Sequence, residues 1–146
     1  MAVLALDHVV LTVRDLEATR RFYCDGLGLR WTEFGEGRFA LAFGRQKINL
    51  HPAGREIEPK AARPTPGSAD LCFLVDEPPA VIAGRMAALG HPPILGPVLR
   101  TGAVAPLESV YLRDPDGNLV ELARELSPGP RSLAQAEPPD GRGSTR

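Results

Sequence analysis

One order of elements runs twice along this chain, and that duplication limits the folds open to it. His8-Val-Val-Leu-Thr-Val13 lies over Asp70-Leu-Cys-Phe-Leu-Val75. Each is a run of β-formers whose side chains alternate between two faces, followed by an acid (Asp15 or Asp76) and then a helical pattern. Farther on, Ile48-Asn-Leu-His51 lies over Val120-Glu-Leu-Ala123, each at the end of its half. A period above about 50 residues run only twice is no solenoid; it predicts two pseudo-symmetric modules that share structure. In this register Asp70 stands where His8 stands, and Glu121 where Asn49 stands.

Each half reads as strand, helix, then three strands. In the first, Leu4 to Val13 is a strand and Asp15 caps a helix that ends at Gly26 and Gly28. Strands follow at Arg30 to Phe34, Arg38 to Phe43 and Lys47 to His51, the last closed by Pro52. Residues 53–68, rich in Pro, Gly and charge, form an irregular connector. The second half has a strand over Ala69 to Val75 and a helix opened by Asp76, Pro78 and Pro79, running to about Leu89. A strand at Ile94 to Leu99 precedes a loop holding Arg100, Thr101, Gly102 and Pro106.

The chain closes on two strands between Val110 and Ala123, joined by the Asp-Pro-Asp-Gly turn of residues 114–117. Glu121 is the odd residue there, an acid between Val120 and Leu122 where a structural strand more often carries Val, Ile or Thr. The domain so defined spans residues 4–124, with modules at about 4–52 and 69–124, and a disordered tail is expected over residues 127–146.

Composition excludes several classes of function. A formal net charge of −1, with basic residues scattered along the chain, leaves no electrostatic footprint for nucleic acid. The apolar runs fall short of a membrane span, and the first seven residues lack the basic start and cleavage site of a signal peptide. Cys24 and Cys72 are too few for a disulfide framework, so a reduced, cytoplasmic protein is expected.

The duplicated βαβββ order, with three motifs, resembles the vicinal oxygen chelate superfamily of glyoxalase I, fosfomycin-resistance transferases, extradiol dioxygenases and bleomycin-resistance proteins. The motifs are Leu6-Asp-His-Val-Val-Leu-Thr-Val13, Phe22-Tyr-Cys-Asp-Gly-Leu-Gly-Leu29 and Tyr111-Leu-Arg-Asp-Pro-Asp-Gly-Asn-Leu-Val-Glu121. Closer likeness is to small single-domain proteins called glyoxalase domain-containing. It is carried by Gln46-Lys-Ile-Asn-Leu-His-Pro52, Pro66-Gly-Ser-Ala-Asp-Leu-Cys72 and Gly96-Pro-Val-Leu-Arg-Thr-Gly102. The resemblance implies an α+β fold in which paired βαβββ modules form a cup-shaped open barrel.

It also implies a divalent metal in the cup, held by the first and last strands of each module, with open positions for vicinal oxygens of a small-molecule substrate. Carried over by position, His8 and Glu121 are ligands, with types that suit Zn, Ni, Mn or Fe. Asp70 stands where metal enzymes of the family commonly have His, and Asn49 where glyoxalase I has an acid. His51 shares a strand face with Asn49 and is a candidate replacement. The metal set is therefore His8, His51 and Glu121, with Asp70 as a fourth candidate. Glu121 doubles as the catalytic proton carrier, and Arg100, Asn49 and Tyr111 are candidate substrate contacts, although a core role is the plainer expectation for Tyr111.

The functions in view are a metal-dependent lyase or isomerase, a non-haem iron dioxygenase, and a metal-free protein that binds a small molecule. A homodimer is expected by analogy.

Overall fold

The computed structural model describes residues 1–127. The tail expected over residues 127–146 lies, apart from Ser127, outside them. Module 1 comprises β1 (His8–Val13), α1 (Leu16–Arg20), β2 (Arg30–Phe34), β3 (Arg38–Phe43) and β4 (Gln46–Pro52). Between α1 and β2 the helix continues as a π-helical turn over Arg21–Gly26. Module 2 comprises β5 (Asp70–Leu74), α2 (Pro79–Ala88), β6 (Leu95–Thr101), β7 (Pro106–Arg113) and β8 (Leu119–Glu125). Among the described residues no helix is long and apolar enough to cross a membrane.

Each module makes its own mixed four-stranded sheet, ordered β1-β4-β3-β2 and β5-β8-β7-β6. The fold is α+β, and the two sheets are cupped without closing into one barrel. Their registers match. In the parallel pairs His8 sits opposite Lys47 and Asp70 opposite Leu119, so Asn49 and Glu121 each stand two residues along the last strand from that first partner. In the antiparallel pairs Ala40 faces Asn49 and Tyr111 faces Glu121. The correspondence between Asn49 and Glu121 is thus a property of the sheets.

Strand alternation gives every sheet one apolar and one polar face. The apolar faces of both sheets, through residues such as Leu11, Leu41, Ile48, Val110 and Leu122, bury into a single core. The two helical segments fill it with Phe22, Tyr23 and Met86, none of which retains accessible surface. Gly26 closes the contact between them: a Cβ there would stand 2.5 Å from Met86 Sδ, so only glycine fits without displacement. The two polar faces lie on the sides of their sheets away from this shared core.

The turn expected at residues 114–117 forms, with Gly117 at φ 90°. It also locks the modules together. Asp114, only 5% exposed, accepts from the amides of Asp116 and Asn118 at 2.9 and 2.8 Å, from Asn118 Nδ2 at 2.8 Å and from Tyr23 Oη at 2.9 Å. Arg14 reaches the same turn through Asp116. Asp15 caps α1 as expected, accepting from the amides of Glu17 and Ala18.

Several strand boundaries differ from the sequence reading, chiefly in β1, β6 and β7. β1 begins at His8, because Leu4 to Asp7 run past the start of β4 and have almost no strand beside them. β6 extends to Thr101, so Arg100 is a strand residue paired with Leu107 and not part of a loop. β7 begins at Pro106, earlier than Val110.

A candidate site divided between two polar faces

The polar face of module 1 carries His8, Val10 and Thr12 on β1 and Lys47, Asn49 and His51 on β4. His8 lies at the open end, with Nδ1 2.8 Å from Asp7 Oδ1. An ionised carboxylate only accepts, so in the neutral ring this contact puts the proton on Nδ1 and the lone pair on Nε2. Asn49 is 6% exposed and its Oδ1 is buried without a hydrogen-bond partner. Such an atom wants a donor or a cation.

His51 pairs with Thr12, four residues beyond the level of His8, which is about 13 Å along the strand. The structure therefore does not bring His51 to His8. Burial, then the nearby Arg38 guanidinium, lowers the His51 pKa, and the ring is neutral at pH 7. It lines a cavity of about 540 Å³ beneath the connector, where Lys60, Arg63 and Ser68 form the opposite wall.

The polar face of module 2 holds Asp70 and Cys72 on β5, Glu121 on β8, Tyr111 on β7 and Arg100 on β6. Glu121 stands between Cys72 and Tyr111, its partners in the two neighbouring strands. Tyr111, a candidate substrate contact for which a core role was the plainer expectation, lies on this face beside Glu121. Its hydroxyl accepts from Arg100 Nε at 2.9 Å, and the guanidinium lies 5.4 Å from the ring centroid. Partial burial, only partly offset by the Arg100 bond, raises the Tyr111 pKa. Partial burial and the Glu121 carboxylate push the Cys72 thiol up to about 11, so it is no nucleophile at neutral pH. Two adjoining cavities, of about 390 and 400 Å³, share Arg100, Tyr111 and Glu121.

Glu121, Asp70, Arg100 and Tyr111 are thus gathered in one cup, and His8 and Asn49 in the other. Among the described residues no three His, Cys, Asp or Glu side chains of one chain converge as a metal site.

A model of the glyoxalase/bleomycin resistance protein/dioxygenase superfamily matches residues 5–122. The chain belongs to this superfamily. Within the superfamily it is 50% identical over 119 residues to the virulence protein STM3117 of Salmonella typhimurium, covering 82% of this chain and 83% of that one. It is also 50% identical over 123 residues to the glyoxalase domain-containing protein RDO1 of Mycosarcoma maydis, covering 84% of this chain and 69% of the relative. The crystal structure of STM3117 superposes with a TM-score of 0.83 at 48% identity, over 86% of this chain and all (100%) of that one. Lactoylglutathione lyase from Agrobacterium tumefaciens superposes at 0.62 with 26% identity, over 82% and 92% of the two chains.

Superfamily members commonly use a divalent metal, and the donors here are of the right type: an imidazole with a free lone pair, two carboxylates and an orphaned amide oxygen. They do not fit an ion within one chain, because they sit on two separate faces.

The sequence reading gave Asp7 and Asp114 no role as side-chain partners of other residues. The Asp-His pair was visible in Leu6-Asp7-His8, whereas nothing local marks Asp114 as the partner of Tyr23, 91 residues away.

Proposed function

We propose that this protein is a divalent-metal-dependent lyase or isomerase of the glyoxalase type, acting on a small molecule with vicinal oxygens. It works as a homodimer in which the module 1 cup of one copy closes over the module 2 cup of the other. One observation carries this reading: His8 with Asn49, and Asp70 with Glu121, occupy matching corners of the polar faces of the two sheets. The strands that carry His8 and Asp70 are also edge strands, with no strand on their outer sides.

In the closed pair, His8 of one copy and Asp70 and Glu121 of the other hold the metal, and the Asn49 amide oxygen completes the corner. Bound there, the ion supplies Lewis acidity to a substrate carbonyl. The chain's own residues do the rest. Asp7 holds the His8 tautomer that leaves Nε2 free. Glu121 moves a proton between adjacent substrate atoms. Tyr111, oriented by Arg100, donates a hydrogen bond to a substrate oxygen. His51 stands apart from this set, as a neutral wall of the neighbouring cavity. The protein is placed in the cytoplasm, where Cys24 and Cys72 stay as free thiols.

The test is metal analysis of protein purified with Zn²⁺, Ni²⁺, Mn²⁺ or Fe²⁺. His8→Ala and Glu121→Ala are each expected to lower bound metal at least about tenfold, in the range seen when ligand shells are disturbed. Full metal retention in both variants would contradict the assignment.

A further inference from the structure

Three cations stand on the polar face of module 1: Arg30 on β2, Arg38 on β3 and Lys47 on β4. Among the described residues none of them forms an ion pair. Two share an aromatic support. The Arg38 guanidinium lies 4.6 Å from the Phe34 ring centroid and Lys47 Nζ lies 4.0 Å from it. A ring that gathers two unpaired cations holds like charges closer together than solvent alone would favour.

Ala40 and Ala42, the β3 partners of Asn49 and Lys47, put small side chains beside them, with Ala40 fully buried. The orphaned Asn49 Oδ1 is buried on the same side of the sheet. Lys47 is the direct neighbour of His8. Glu56 of the connector, the carboxylate that acts on His51, is itself held by the Gly54 amide at 3.0 Å. The face therefore has two unpaired cations gathered on one ring and, buried beside them, an unpartnered polar atom.

We infer that Arg38 and Lys47, braced on Phe34, are an oxyanion subsite, and that the substrate is a small anion bound by a carboxylate or phosphate group at this corner. The remainder of the molecule extends toward His8, the strand neighbour of Lys47. An oxyanion is the ligand class that relieves the repulsion between the two cations, and a guanidinium beside an ammonium suits it. A neutral substrate would leave both unpaired beneath a closing partner. The proposal deepens the functional reading above by naming the substrate class, and it is tested on metal-stripped protein so that the two fail separately.

The experiment is calorimetric titration of the full-length, EDTA-treated protein with succinate and, separately, with inorganic phosphate. At least one probe is expected to bind, and the tighter one identifies the group. Arg38→Gln/Lys47→Met is expected to weaken that binding at least tenfold. Phe34→Leu should weaken it roughly two- to fivefold, the scale of a cation–π brace. Arg20→Ala, an exposed cation on α1, should leave it unchanged. His8→Ala should keep anion affinity while losing metal. Binding of neither probe would overturn the proposal, as would full affinity in the folded double variant or loss of affinity in His8→Ala. If the double variant does not fold, unchanged affinity in Arg38→Gln alone does the same.

Discussion

Tyr23 and Asp114 hold each other at 2.9 Å across the boundary between the modules, and that bond sets two expectations. Tyr23→Phe removes one hydrogen bond to a buried carboxylate and should cost about 2 kcal/mol in urea unfolding. Burial, reinforced by the Asp114 charge, raises the Tyr23 pKa above its ordinary value. The folded protein therefore keeps its proton where the unfolded chain loses it. The stability Tyr23 contributes is fully present below about pH 10 and is lost as pH rises beyond that. The wild-type advantage over Tyr23→Phe should shrink above pH 10; an advantage that stays constant to pH 11.5 would refute the coupling. In the module 2 cup, the Cys72 thiol at about 11 has roughly 100-fold less thiolate at pH 7.5 than an ordinary thiol near 9. Iodoacetamide should label it correspondingly slowly, and Glu121→Gln should speed labelling. Labelling of wild-type Cys72 at the rate of free cysteine would show that Glu121 does not face it.

At the scale of elements, Gly26 against Met86 is the tightest joint between the helical segments of the two modules. Gly26→Ala pushes a methyl into a fully buried thioether and should destabilise by about 1–3 kcal/mol, as overpacking does. Met86→Ala in the same chain should recover part of that loss. If the double variant is no more stable than Met86→Ala made worse by the full Gly26 cost, the two sites are uncoupled. The module order and most strand boundaries were legible because alternation and helix caps are local signals. β6 was read as ending at Leu99 because Gly102 and Pro106 mark the stretch after it as a loop. β7 overrides them by pairing from Pro106 onward, and the resulting irregularity between Leu95 and Val98 absorbs Gly96 at φ 108°. That missed extension misplaced Arg100, and with it the partner that turns Tyr111 toward the cup. His51 was misjudged for the complementary reason. Alternation correctly put it on the polar face, but the face alone says nothing of distance along the strand.

At the scale of the whole molecule, duplication made two half-sites, and the shared core keeps them apart within one chain. A homodimer that pairs unlike cups would restore both sites at once by its two-fold symmetry, each with His8 from one copy and Glu121 from the other. Sequence could pair these residues by register but could not say that they lie on separate faces within one chain, because packing of the modules decides that. Sedimentation should accordingly find a dimer, with two metals per dimer. The most direct measurement is complementation between His8→Ala and Glu121→Ala, each devoid of metal alone. Mixed in equal amounts and allowed to exchange subunits, half the dimers are mixed, and each mixed dimer has one intact site. Bound metal should recover to about a quarter of the wild-type level. A mixture that exchanges subunits yet binds no more metal than its two components would contradict a site shared between copies.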